Sequence, residues 1–234
     1  MKKLKVIILA GGKGVRFGTA KQFVKIYNIP LFVYTLKQFS NFDKILVIPQ
    51  KYYKYTLNLI KKYNISNIII IKGGNTRQAS VFNALKYLNK EKFNGYIAIT
   101  DACRPFVTKK IIKKGFKYLD DYDAVVSVIK AINTSCVSYD NKYLDDFIDR
   151  TNQYNLLMPQ FFYFKTIYMA HKYFNKKIKN ATDDANLFFK MWDKKIKMMK
   201  ITWKEGLKLT YLNQLPSFNL LLYKKRREIM EYGK

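Results

Sequence analysis

The stretch KVIILAGGKGVRFGTAKQF, residues 5–23, carries the first decision about the fold. Lys5 to Ala10 form a nearly continuous apolar run closed by glycine, the pattern of a strand buried on both faces. Four of the ten glycines, Gly11, Gly12, Gly14 and Gly18, follow at once. A glycine-rich turn directly after a strand exposes backbone N–H groups that can cradle phosphate. Two familiar phosphate loops fail on spacing. A dinucleotide fingerprint needs glycine three residues after Gly14, where Phe17 stands, and no Gly-Lys-Ser/Thr lies where a P-loop requires it. What remains is a glycine loop holding Arg16 and Lys21, two cations where a nucleoside triphosphate would lie. A tight loop with surface cations is the plainer alternative.

Outward from this loop, short β-branched runs alternate with helical patterns as far as residue 130. LFVYTLKQF reads as helix after Pro30, KILVI as strand, the Tyr- and Lys-rich segment from Lys51 as helix and NIIIIK as strand. SVFNALKYL, GYIAIT, TKKIIKKGFKYL and DAVVSVI then read as helix, strand, helix and strand. This alternation predicts an α/β fold with a mostly parallel, doubly wound sheet, whose ligands sit beyond the C-terminal strand ends. Between Ala131 and Ile148 the pattern breaks around Tyr139–Asn141, which reads as a hairpin arm. Helices over Thr166–Phe174 and Asp183–Trp192, a strand near Lys197–Ile201 and a helix after Pro216 complete the reading. The 234 residues show no repeat and no linker, so one domain with an arm at about 134–149 is expected.

The chain carries 44 Lys plus Arg against 16 Asp plus Glu, a net charge of +28. Its lysines are spread along the whole length, which reads as a solvated surface on a composition drifted towards Lys, Asn, Ile, Tyr and Phe; attraction to polyanions is the sharper reading. With 49% hydrophobic residues the chain can bury a core, which excludes a disordered basic tail. No run of eighteen apolar residues points to a membrane span, and the N-terminus lacks the apolar length of a signal peptide. Two cysteines, Cys103 and Cys136, make no disulfide framework, so a reducing cytoplasm is expected. Only six basic residues are arginines, and their planar forks suit paired phosphate or carboxylate oxygens. Arg226 and Arg227 belong to a C-terminal KKRRE run; Arg16, Arg77, Arg104 and Arg150 are the informative four.

Other strand ends carry further chemistry. Gly73-Gly74 is followed by Asn75-Thr76-Arg77-Gln78-Ala79-Ser80 opening a helix, where glycine allows close approach and a helix N-terminus favours an anion or base edge. Asp101 just past a strand end is a potential Mg²⁺ ligand or a helix cap, and Arg104 beside it can hold a phosphate.

Taken in order, LAGGKGVRFG…KQF, GGNTRQAS, DACRP, IDR…MPQFF, ATDDAN and GLKLT resemble the cytidylyltransferases acting on polyol phosphates, over roughly residues 4–212. That family includes the 2-C-methyl-D-erythritol 4-phosphate and ribitol-5-phosphate enzymes. The resemblance implies a Rossmann-like nucleotidyltransferase fold, CTP as substrate, Mg²⁺ as cofactor and a homodimer formed through the β-arm. It makes Arg16, Lys21 and Lys208 the catalytic cations. It implies nucleotide contacts from Ala10, Gly11, Gly12, Gly14, Gly74, Asn75, Arg77, Ser80, Asp101 and Ala102, with Asp101 also facing the metal. Arg104, Thr134, Arg150 and position 158 are implied on the acceptor side, Arg150 reaching the acceptor of a neighbouring subunit.

The chemistry agrees with the scarcity of usual catalytic groups. A phosphomonoester is already dianionic near neutral pH, so it can attack the α-phosphorus of CTP without a general base. Alignment and positive charge are what the protein must supply. The single histidine, His171, reads as structural, and Asp183 and Asp184 read as a helix start. Four departures from the family pattern stand out: Met158 for Thr, Ala20 for Pro, Gly206 for Asn and Asn133 for Asp. Met158 and the LAGG start favour a ribitol- or glycerol-phosphate acceptor for surface polysaccharide or teichoic-acid-like polymers. DACRP and Asp149-Arg150 favour the alternative, the isoprenoid enzyme acting on 2-C-methyl-D-erythritol 4-phosphate. A basic nucleic-acid-binding module would interleave its 19 Tyr and 17 Phe with cations on one sheet face, whereas most fall at core spacing. An inactive scaffold is opposed by the retained Arg16, Lys21, Asp101 and Lys208.

Overall fold

A computed structural model describes residues 3–12, 14–174, 183–192 and 194–231. Lys13 of the glycine loop and Ala181-Thr182 of the ATDDAN segment therefore lie outside the described residues. The elements run β1 (Lys3–Leu9), β2 (Lys25–Ile26), β3 (Ile29–Pro30), α1 (Leu31–Gln38), β4 (Asp43–Ile48), α2 (Tyr53–Lys62), β5 (Ile68–Lys72) and α3 (Arg77–Lys90). They continue with β6 (Gly95–Asp101), α4 (Lys109–Tyr118), β7 (Ala124–Lys130), β8 (Ser135–Val137), β9 (Asp146–Ile148) and β10 (Tyr154–Tyr163). Last come α5 (Phe164–Phe174), α6 (Asp184–Trp192), β11 (Lys197–Lys200), α7 (Trp203–Gly206) and α8 (Leu215–Glu231). The Rossmann-like, doubly wound architecture expected from the sequence is present.

The central sheet has the order β11-β7-β10-β6-β1-β4-β5. Every neighbouring pair is parallel except those of β10, which runs antiparallel to both β6 and β7. Successive side chains of a strand face opposite sides, so each strand feeds two cores. Val6, Ile8, Leu46 and Ala98 pack with α1, α4 and α8 on one face. Ile7, Leu9, Ile45, Val47 and Ile97 pack with α3, α5 and α6 on the other. No helix among the described residues is long and apolar enough to cross a membrane.

Strand β10 is the element that the sequence pattern hides. Its Pro159 cannot donate to a ladder, and the pairing with β7 shifts register between Leu157 and Gln160, where that proline sits. Beyond the sheet, β8 and β9 pair antiparallel and carry an exposed loop, the arm expected near Tyr139. Asp140 Oδ1 accepts the N–H groups of Lys142 and Tyr143 at 2.8 and 3.0 Å, which turns the tip.

Candidate functional site

The chain order reverses beside β1: β4 and β5 build outwards on one side, and β6 returns to the other. Loops leaving β1, β4, β5 and β6 therefore converge at the C-terminal edge, where doubly wound sheets bind ligands. They enclose a cavity of about 800 Å³.

One wall is the glycine loop. Gly14 adopts φ +68°, and a Cβ there would run into the Thr19 carbonyl, so glycine is required. The Gly14 carbonyl accepts the N–H groups of Phe17 and Gly18 at 2.8 and 2.9 Å, closing the turn that presents Arg16. Gln22, the buried penultimate residue of the opening stretch, donates to the Ala10 carbonyl at 2.8 Å and ties the loop's end to its beginning. Lys21 stands between, at the cavity.

The opposite wall is the turn from β5 into α3. Thr76 caps the helix by accepting the Ala79 N–H at 3.0 Å. Ser80 accepts the Gly74 N–H at 3.0 Å and donates to the Thr76 carbonyl at 2.9 Å, which fixes the Gly73–Thr76 turn.

Asp101, at the end of β6, forms the floor. Its Oδ2 lies 2.9 Å from both Arg104 Nε and Lys208 Nζ. Burial alone would raise its pKa; Lys208, Arg104 and Arg77 together hold it well below the usual carboxylate range. Arg104 also donates to the Gly206 carbonyl, so it anchors the segment that delivers Lys208. The pKa of Lys21 is lowered by burial first, assisted by Lys208 and Arg16 and opposed by Asp101. An ammonium in that position gains when a polyanion arrives. Burial pushes the Cys103 thiol up to about 12, so it faces the cavity as a neutral group.

Of the residues named from sequence, Ala10, Gly11, Gly12, Gly14, Arg16, Lys21, Gly74, Asn75, Arg77, Ser80, Asp101 and Lys208 line this one cavity. Ala102, Arg104, Thr134, Arg150 and Met158 do not border it. Ala102 is buried behind the floor, its carbonyl accepting from the Thr35 hydroxyl at 2.8 Å. Thr134 and Arg150 are exposed on the arm, where Arg150 donates to the Ile132 carbonyl at 3.1 Å. Met158 is buried at the β10 irregularity, so its thioether does not face the cavity. Pro49, Gln50, Lys51, Tyr52 and Lys72 also line the cavity and were not singled out from sequence. Lys51 and Lys72 are indistinguishable by type from the other lysines of a lysine-rich chain. Their position marks them, Lys72 at the end of β5 and Lys51 just beyond β4.

The family model for 2-C-methyl-D-erythritol 4-phosphate cytidylyltransferase matches residues 4–223. The 2-C-methyl-D-erythritol 4-phosphate cytidylyltransferase of Clostridium beijerinckii is 35% identical over 188 residues, 77% of this chain and 82% of that one. A bifunctional enzyme of Pelagibacter ubique is 37% identical over 199 residues, 83% of this chain and 51% of its own length. Among solved structures, 4-diphosphocytidyl-2C-methyl-D-erythritol synthase from Anaerococcus prevotii superposes with a TM-score of 0.82 at 27% identity, covering 95% of this chain and 99% of that one.

Proposed function

We infer the reaction from membership, since the chain belongs to the 2-C-methyl-D-erythritol 4-phosphate cytidylyltransferase family and is a CTP-dependent cytidylyltransferase, and we propose that its acceptor is 2-C-methyl-D-erythritol 4-phosphate, as in isoprenoid synthesis. The observation that carries the acceptor is the family match over residues 4–223. This reverses the expectation of a ribitol- or glycerol-phosphate acceptor. That expectation leaned on Met158 as a changed acceptor contact, and a side chain buried in the sheet speaks of packing instead. Leu9 of the LAGG start likewise belongs to a core cluster.

In this reaction an oxygen of the acceptor's dianionic phosphate forms a bond to the α-phosphorus of CTP. The bond from that phosphorus to the bridging oxygen breaks, and pyrophosphate leaves with its electron pair. No proton has to be removed first, so the residues act by position and charge. Arg16, Lys21 and Lys208 converge on the cavity and oppose the charge building on the phosphoryl oxygens. Asp101 holds Lys208 in place and keeps the local charge from excess.

The donor set fits Mg²⁺. Both cations contact Oδ2 of Asp101, which leaves Oδ1 for a metal, and no group of three acidic, His or Cys ligands exists among the described residues. Mg²⁺ characteristically takes one or two carboxylates together with substrate phosphates and waters. When bound it supplies neutralisation of phosphate charge, with Asp101 as its protein ligand.

The arm exposes Tyr139, Tyr143 and Phe147, the first at 82% and the last at 64%. Such a patch on a mixed polar arm supports pairing with a second copy, which would bring Thr134 and Arg150 to an acceptor.

The reading is tested by pyrophosphate release with Mg²⁺ across CTP, ATP, GTP and UTP and an acceptor panel. 2-C-methyl-D-erythritol 4-phosphate is expected to be used with CTP at least 100-fold faster than ribitol 5-phosphate or glycerol phosphate. Preference for either of the latter would overturn the acceptor.

A further inference from the structure

Arg77, the first residue of α3, borders the nucleotide cavity, yet its guanidinium is held from behind. Its Nη2 lies 2.6 Å from Oδ2 of Asp184, the first residue of α6, whose side chain is 1% exposed. The other oxygen, Oδ1, lies 3.0 Å from Nε2 of the fully buried His171 on α5. A carboxylate can only accept, so this imidazole nitrogen carries the hydrogen. The His171 ring stacks on Phe82 of α3 at 13° between planes, with centroids 6.2 Å apart. Gln160 of β10 fixes the same helix start from a third side. It donates to Asp183 Oδ2 at 3.1 Å and accepts the Ala185 N–H at 3.0 Å.

A buried charge costs stability unless it is paired, and a purely packing role is served as well or better by apolar residues of similar volume. Ionic partners are justified where a direction has to be fixed. Arg77 has five N–H donors, and the bond to Asp184 uses one edge of the fork, leaving donors for a ligand. Carboxylate and imidazole together deny the guanidinium its other rotamers.

We propose that Asp184 and His171 are positioning residues that act in series to hold Arg77 against the bound nucleotide. This rests on the cavity being the CTP site. Neither residue touches the ligand. Their removal weakens CTP binding through Arg77 while leaving affinity for the acceptor phosphate unchanged.

Direct CTP binding by calorimetry, with KM for CTP and for the acceptor measured separately, tests this. Asp184→Asn is expected to weaken CTP binding about tenfold or more, in line with loss of a hydrogen bond to a charged group. Arg77→Gln is expected to do the same, and the double variant to be no worse than either single one. Unchanged CTP affinity in Asp184→Asn, additive losses in the double variant, or an equal rise in acceptor KM would overturn the relay.

Should Asp184→Asn fail to fold, His171→Gln and His171→Leu decide. Gln keeps a donor near the Nε2 position and is expected to retain CTP affinity, whereas Leu is expected to lose it. Equal affinities in the two would overturn the proposal. Failure of the wild-type chain to bind CTP would instead overturn the nucleotide site itself, and the relay with it.

Discussion

Lys21 is proposed to act by charge rather than by packing, and the two roles separate in a single substitution. Lys21→Ala is expected to lower kcat by about 100-fold or more, the usual effect of removing one group aimed at transition-state charge. Its unfolding free energy should stay within about 0.5 kcal/mol of wild type, as for a loop side chain without core contacts. Turnover near wild type would remove Lys21 from the mechanism. At this scale the sequence is informative where chemistry is local. Arg16 and Lys21 are legible because they lie inside one glycine loop, and Asp101 because it ends a strand. Asp101 lies only three residues before Arg104, but Arg77 and Arg104 each also have a partner distant in sequence. Asp184 is 107 residues from Arg77 and the Gly206 carbonyl is 102 from Arg104. No spacing rule reaches that far. Hence Arg104 reads as a phosphate ligand from sequence while the fold makes it a strut under Lys208.

The joins between elements hold two further tests. Gly115 lies inside α4, where alanine would raise helix propensity by about 1 kcal/mol. A Cβ at that position would press into the Phe161 ring of β10. Gly115→Ala is therefore expected to destabilise by about 1–3 kcal/mol, the cost of overpacking, measured by denaturant unfolding. A gain in stability would show that the ring yields. Lys44, 1% exposed at the start of β4, donates to the Phe39 and Phe42 carbonyls at 3.1 and 2.9 Å and so closes the end of α1. Burial lowers its pKa to about 8, below the value of about 10.4 for an unfolded chain. The unfolded state then binds more protons between those values, so Lys44's contribution makes stability rise as pH increases from about 8 to about 10.4. Below about pH 8 its burial cost is fully present. Lys44→Met should remove that part of the alkaline slope; an identical slope in the variant would contradict the assignment. Helices are legible by their periodicity and parallel strands by their continuous apolar runs. Strand β10 is not, because Pro159 within the run argues against a central strand.

At the scale of the molecule, the sheet order explains why dispersed motifs become one site. Four strand-end loops meet only because the chain reverses beside β1, and the alternation of strands and helices makes that placement legible without any contact information. The arm is legible as an interruption of the same pattern, and the proposed pairing with a second copy is tested on its exposed aromatic residues. Replacing Tyr139 and Phe147 together by Ser is expected to convert a dimer into a monomer in sedimentation equilibrium and to raise the acceptor KM without changing CTP affinity. A wild-type monomer with full activity would contradict the arm's role. The excess of lysine along the chain obscures which cations matter, and the cavity picks out Lys21, Lys51, Lys72 and Lys208. The central claim, transfer of CMP to a phosphate oxygen of 2-C-methyl-D-erythritol 4-phosphate, is tested most directly by ³¹P NMR of a mixture of enzyme, CTP, that acceptor and Mg²⁺. The account predicts two coupled resonances of a new diphosphate diester, appearing in step with pyrophosphate. Pyrophosphate accompanied by free CMP, or an unchanged CTP spectrum, would contradict it.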